Sequence, residues 1–108
     1  MVVRPVYDGL TAFATGGQAG GFPMREGINR VTTVGTAADS VTLPSTQDVT
    51  GEDLIVINAA AANSMNVYPA TGEKINALAA NAAFAMAANK TALFVITGAG
   101  QWHAILTA

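Results

Sequence analysis

The feature that most restricts the fold of this chain is the rhythm of its apolar residues after Asn29. Short runs rich in β-branched and aromatic residues alternate with proline, glycine and asparagine. The runs at residues 30–34, 40–43, 53–58, 64–68, 82–87, 91–97 and 101–106 are expected to be strands. Pro44, Pro69, Gly51, Gly72, Gly98 and Gly100 punctuate them, and proline suits a strand end because it cannot donate to a sheet ladder. In Val41-Thr42-Leu43 and Met65-Asn66-Val67-Tyr68 the alternation predicts one buried face. Leu54-Ile55-Val56-Ile57 and Leu93-Phe94-Val95-Ile96 are apolar on both faces, which places them centrally or at a subunit contact. The pattern predicts an all-β fold: an antiparallel β-sandwich, or a jelly-roll-like domain, over residues 29–108. Residues 51–68 and 89–106 share a polar start, an apolar strand, a small-residue loop and an amphipathic strand, so each is expected to be a hairpin.

Residues 75–89, INALAANAAFAMAAN, support two readings. Alanine favours a helix on which Ile75, Leu78, Ala79, Ala82 and Met86 would share a face. Phe84 and Met86 instead alternate with alanines, and Asn76, Asn81 and Asn89 have the character of turn residues. The second reading is adopted, with a strand at residues 82–87.

Residues 1–28 differ from the rest. They hold six of the 11 glycines, including Gly16-Gly17 and Gly20-Gly21, and two of the four prolines. Such a stretch buries too little to fold alone, yet it carries Val2, Val3, Val6, Tyr7, Leu10, Phe13, Phe22 and Met24. Two arrangements fit: an extended arm lying on a neighbouring subunit, or a tail folded back on its own domain. The arm is the expectation here, with Gly16–Gly21 as its hinge and residues 1–15 dispensable for folding of the domain.

Charged residues make up 11% of the 108, against roughly 25% in an average soluble domain. A surface so poor in charge fits one covered by partners. With a net charge of −2, the chain lacks the basic footprint of a nucleic-acid binder. Residues 1–30 set three arginines against Asp8 and Glu26, and residues 31–108 set two lysines against five acids, so the two parts are suited to different surfaces. There is no cysteine, which leaves no disulfide or thiolate chemistry. The opening Met-Val-Val-Arg-Pro and the absence of any apolar run near ~18 residues predict no secretory or membrane address.

Catalysis needs a nucleophile, base and orienting group, or coupled carboxylates. One histidine, His103, stands between Trp102 and Ala104, and a hydrogen-bonded histidine at a sheet or interface is its expected role. Asp48, Glu52 and Asp53 around Gly51 lack calcium-loop spacing and read as a solvated turn. Gly16–Gly21 lacks the Lys-Ser/Thr of a phosphate loop. Asn89-Lys90-Thr91 matches a glycosylation acceptor pattern of low specificity. No catalytic, cofactor-binding or metal-binding residue is assigned, and the chain is expected not to be an enzyme. Trp102 is expected to seal the core or a subunit contact. The expected interface residues are Val2, Val3, Val6, Tyr7, Leu10, Phe13, Phe22 and Trp102.

One stretch carries a resemblance. Val67-Tyr68-Pro69-Ala70-Thr71-Gly72-Glu73-Lys74-Ile75-Asn76-Ala77-Leu78, then Asn81-Ala82-Ala83-Phe84, Leu93–Ile96 and Gly100-Gln101-Trp102-His103, resembles a β-rich module of tailed-phage virion proteins. The resemblance covers about residues 41–108, and the amino-terminal arm matches nothing in it. It implies a bacteriophage structural protein on the capsid surface of the virion: a head decoration, or cement, subunit that stabilises the assembled head. It also implies a homotrimer bound to the major capsid protein, with no nucleic acid or membrane partner. The alternatives are a fibre, spike or tail-associated module and a small carbohydrate-binding β domain. A cupin-type enzyme would need more metal ligands than one histidine supplies.

Overall fold

The computed structural model describes residues 4–14, 16–47 and 53–107. Among them run β1 (Val6–Thr11), the single helical turn α1 (Gly17–Gly20), β2 (Phe22–Pro23), β3 (Gly27–Thr33), β4 (Asp39–Thr42), β5 (Asp53–Asn58), β6 (Met65–Tyr68), β7 (Lys74–Ile75), β8 (Phe84–Met86), β9 (Lys90–Gly98) and β10 (Gln101–Leu106). All seven expected strands are present, and residues 76–83 form turns rather than a helix.

Successive strands from β1 to β9 alternate between two sheets, and β10 stays beside β9. The first sheet has the order β1-β3-β5-β9-β10-β7 and the second β2-β4-β6-β8. The chain therefore winds as three coils, β1–β2, β3–β4 and β5–β6, and like strands stack in parallel: β1 on β3 on β5, and β2 on β4 on β6. After β6 the winding reverses. β8 runs antiparallel to β6, and the β9–β10 hairpin slots between β5, which β9 meets antiparallel, and the two-residue β7, which β10 meets in parallel. The result is a solenoid-like all-β body.

This corrects the expected antiparallel sandwich or jelly roll. Among the described residues five of the eight strand pairings are parallel. Residues 89–106 hold the expected hairpin, but β5 and β6 lie in different sheets, so residues 51–68 do not form one. Alternation states which face of a strand is buried; it is silent on strand direction.

Inward side chains of both sheets make one core: Val31, Leu54, Val56, Phe94 and Trp102 from the first sheet, Val41, Met65, Val67 and Met86 from the second. Phe94 meets Phe84 and Trp102 edge-to-face, with centroids 5.6 and 6.5 Å apart. β5 and β9 pair with each other inside the first sheet, the central position that their doubly apolar sequences required.

The corners depend on asparagine. Inside the coils, buried Asn29 accepts from the Arg25 N–H and donates to the carbonyls of Arg25 and Ile55. Asn58 similarly donates to the carbonyls of Asn63 and Met86 and accepts from the Ala60 N–H. Each amide satisfies backbone groups that a corner would otherwise leave unpaired away from water. Asn63, Asn76, Asn81 and Asn89 adopt φ of 78°, 53°, 69° and 63°, the left-handed region that asparagine tolerates better than other side chains.

The reversal is built from the stretches around residues 72–81 and 100–104. Asn81 Oδ1 accepts from the Gly72 N–H at 2.6 Å, and Asn76 Oδ1 accepts from the Ala104 N–H at 2.9 Å. Gln101 Nε2 donates to the Asn76 carbonyl. The buried Glu73 carboxylate accepts from Thr46 N, Thr46 Oγ1 and Ser45 Oγ, fastening the turn after β4 to the reversal.

The second correction concerns residues 1–28. Their described part belongs to the molecule's own sheets and shares its core through Ala12 and Met24, so it is neither an arm nor a separate unit from residues 29–108. Two of the glycines there, Gly21 and Gly27, serve close approach. A Cβ on Gly21 would collide with the Thr42 hydroxyl, and one on Gly27 with the Pro5 carbonyl, where the edge of β1 presses on β3. α1 is pinned as well: Gln18 Nε2 donates to the Pro69 carbonyl at 2.8 Å and to Asn81 Oδ1 at 2.9 Å.

Candidate functional site

A solenoid buries each coil's inner face against the next, so its two ends need different treatment from its middle. At the carboxy-terminal end the edge strands β7 and β8 are two and three residues long and adjoin the turns of the reversal, an arrangement that blunts a sheet edge. The first coil is finished differently. β1 is six residues long and forms the outer edge of its sheet, with Val6 61% exposed.

Five of the expected interface residues gather on this coil. Tyr7 and Leu10 are half-buried on β1, at the level of the buried Asn29 and Val31 of β3. Phe13, 44% exposed, meets Phe22 of β2 edge-to-face with centroids 5.1 Å apart. Val6 turns outward beside Ile28. Trp102 does not join them. It is fully buried in the core on β10, and its indole N–H has no hydrogen-bond partner among the described residues. Its assignment to an interface is therefore corrected: its size fills the space between the sheets. Val2 and Val3 lie outside the described residues, as do Gly51, Asp48 and Glu52; Asp53 pairs with Arg4.

Between β1 and β2 the coil opens into a cleft of about 220 Å³ lined by Tyr7, Leu10, Phe22, Pro23, Arg25 and Asn29. The Arg25 guanidinium carbon lies 5.4 Å from the Tyr7 ring centroid, a cation–π arrangement at the rim. Sequence reasoning missed Pro23, Arg25 and Asn29. Asn29 sits in the inward register of its strand, a usable signal, whereas the placing of Arg25 over Tyr7 follows only from the coil. His103 points outward from β10 and is exposed.

The electrostatics here are modest. Arg30 Nη1 donates to Asp8 Oδ1 at 2.8 Å, and that bond, with the Gly9 N–H, holds the Asp8 carboxyl below its usual range. The arrangement offers an apolar, aromatic-rimmed end whose strand edge is unpaired among the described residues, suited to protein contact. The chain matches no protein-family model and no curated protein.

Proposed function

We propose that this chain is a non-enzymatic structural subunit of a larger assembly, docking through its first coil. On the resemblance of residues 41–108, that assembly is a tailed-phage virion and the subunit a capsid decoration protein bound to the major capsid protein. One observation carries the docking reading: Tyr7, Leu10, Phe13 and Phe22 converge on the one end of the solenoid that finishes in a six-residue edge strand.

The division of labour supports it. The residues behind the resemblance build the reversal and the β9–β10 hairpin, which hold the fold together. The residues outside the resemblance build the open coil. A decoration subunit requires a shared body and a target-specific contact, and many copies binding one lattice stabilise it by mass action. An extended segment of the partner could add to the β1 edge and place an apolar side chain in the cleft.

A carbohydrate-binding reading is less well supported. The Asn29 amide is engaged with the backbone, so the cleft offers sugar hydroxyls few polar partners.

The test is add-back to purified particles that lack the protein, read by electron cryomicroscopy and co-sedimentation. The wild-type chain is expected to bind saturably in many copies. The double variant Phe13→Asp/Phe22→Asp, shown to be folded by circular dichroism, is expected to bind at least tenfold less tightly. Absence of the protein from the native virion, or equal binding by the variant, would refute the proposal.

A further inference from the structure

The outer face of the first sheet carries a second surface, independent of the cleft. The strand registers place Val6 beside Ile28, Ile28 beside Ile55, Ile55 beside Leu93, and Leu93 beside Ile105. Five adjacent strands thus contribute one side chain each to a straight row, and every member is aliphatic. All five are exposed or half-buried, Val6 at 61% and Ile105 at 68%. Ile57 and Val95, on the same outer faces of β5 and β9, widen it. A sheet face open to water normally carries polar residues at such positions.

We propose that this face is the contact between two copies of the chain, packed row against row about a two-fold axis with Ile55 at its centre.

Charge is the first argument for a second copy as the occupant. The charged groups flanking the row are already paired within the molecule, Arg30 with Asp8 and Arg4 with Asp53. Closing the face on its own copy leaves no flanking charge in need of a partner, the outcome that would be costly. A partner of strong opposite charge has nothing to read here.

Area is the second argument. Five strands spaced ~4.8 Å apart, each 20–30 Å long at ~3.3 Å per residue, give a face of roughly 500–600 Å² in projection. Protruding side chains raise its accessible area toward the ~800 Å² per partner of a standard stable interface. The molecule, 35 × 33 × 25 Å, is broad enough to present such a face. Because the row is aliphatic along its length and sits within one sheet, the same patch can face itself about a two-fold axis. Two copies, in place of the expected trimer, are the closed state it favours.

The absence of cysteine from the sequence makes a direct test possible. Ile55→Cys places one thiol at the proposed axis, and Ala85→Cys places one on the exposed position of β8 in the other sheet. Under mild oxidation the full chain with Ile55→Cys is expected to form a covalent dimer at least tenfold faster than Ala85→Cys. In sedimentation velocity the wild type is expected to run as a dimer at micromolar concentration. The double variant Ile55→Thr/Leu93→Thr, which keeps β-forming side chains, is expected to run as a monomer with an unchanged circular dichroism spectrum. A monomeric wild type at 100-fold higher concentration, or equal crosslinking rates at the two positions, would overturn the proposal. So would dissociation of the dimer by Phe13→Asp/Phe22→Asp, which would move the contact to the first coil. None of these readouts uses the virion, so particle binding and self-association stand or fall separately.

Discussion

Phe13 and Ser40 exchange both backbone hydrogen bonds, N–H to carbonyl at 3.0 Å in one direction and 2.9 Å in the other. The pairing brings the stretch after β1 onto the edge of β4. Ala12, the preceding residue, is buried and donates its N–H to the Thr33 carbonyl at 3.0 Å. Together these contacts stitch the first coil to the second on both sheets.

Removing residues 1–15 should therefore destabilise the whole domain. The deletion strips the β1–β3 ladder, the Phe13–Ser40 pair and the packing of Leu10 and Ala12. At about 1 kcal/mol per net hydrogen bond of the ladder, with a smaller share from half-buried Leu10 and small Ala12, the loss should be on the order of 3–5 kcal/mol. Urea unfolding of the full-length and truncated chains measures it, and an unchanged midpoint would mean that the coil contributes nothing to the core.

Glu73→Gln should loosen the turn after β4. The substitution keeps the shape but replaces a charged acceptor of Thr46 N, Thr46 Oγ1 and Ser45 Oγ with a neutral amide. Hydrogen bonds to charged groups contribute ~1.5–3 kcal/mol, so a cost of about 2 kcal/mol at neutral pH is expected. A cycle with Thr46→Val should show clear coupling, because both changes act on the Thr46 Oγ1–Glu73 bond.

The Asp8–Arg30 pair sets a small pH dependence. Its hydrogen bond from Arg30 depresses the folded-state pKa of Asp8 below 3.8, the unperturbed value. A depressed carboxyl stabilises the fold above the unfolded pKa and loses that effect as pH falls through the folded one. Carbon-detected titration of the Asp8 carboxyl should give a midpoint below 3.8, and Arg30→Gln should move it back up. A midpoint unaffected by Arg30→Gln would show that the pair does not persist in solution.

Ala38 offers a stabilising change. It is exposed and holds φ at 73°, and its N–H donates to the Ser64 carbonyl at 2.9 Å. An alanine there bears ~1 kcal/mol of strain that asparagine largely avoids. Ala38→Asn should raise stability by about 0.5–1 kcal/mol in thermal or urea unfolding, whereas a fall would mean the turn is not left-handed in solution.

His103→Ala should be nearly silent. The side chain faces outward from β10 and is exposed, and surface substitutions of this kind usually stay within ~0.5 kcal/mol. A larger loss in thermal melting, or dissociation of the dimer, would give His103 a role in the contact between copies.

Local chemistry made much of this molecule legible in its sequence. Seven strands followed from runs bounded by Pro, Gly and Asn, and the turn roles of Asn76, Asn81 and Asn89 followed from the side chain's tolerance of positive φ. The central place of β5 and β9 followed from two apolar faces. Of the site, the apolar residues of β1 and β2 were visible as candidates, but not that Phe13 and Phe22 would touch or that Arg25 would stack on Tyr7. Tertiary structure alone decided which strands pair, and in which direction. The link from β5 to β6 spans residues 59–64, and an alternating pattern is equally satisfied by folding back within a sheet or crossing to the other one. The choice lies in contacts between residues distant in the chain, such as Ile28 with Ile55 and Gln18 with Pro69. The same physics decided the glycine-rich segment: a residue without a Cβ permits both a loose hinge and a close approach, and only the presence of Thr42 beside Gly21 selects between them.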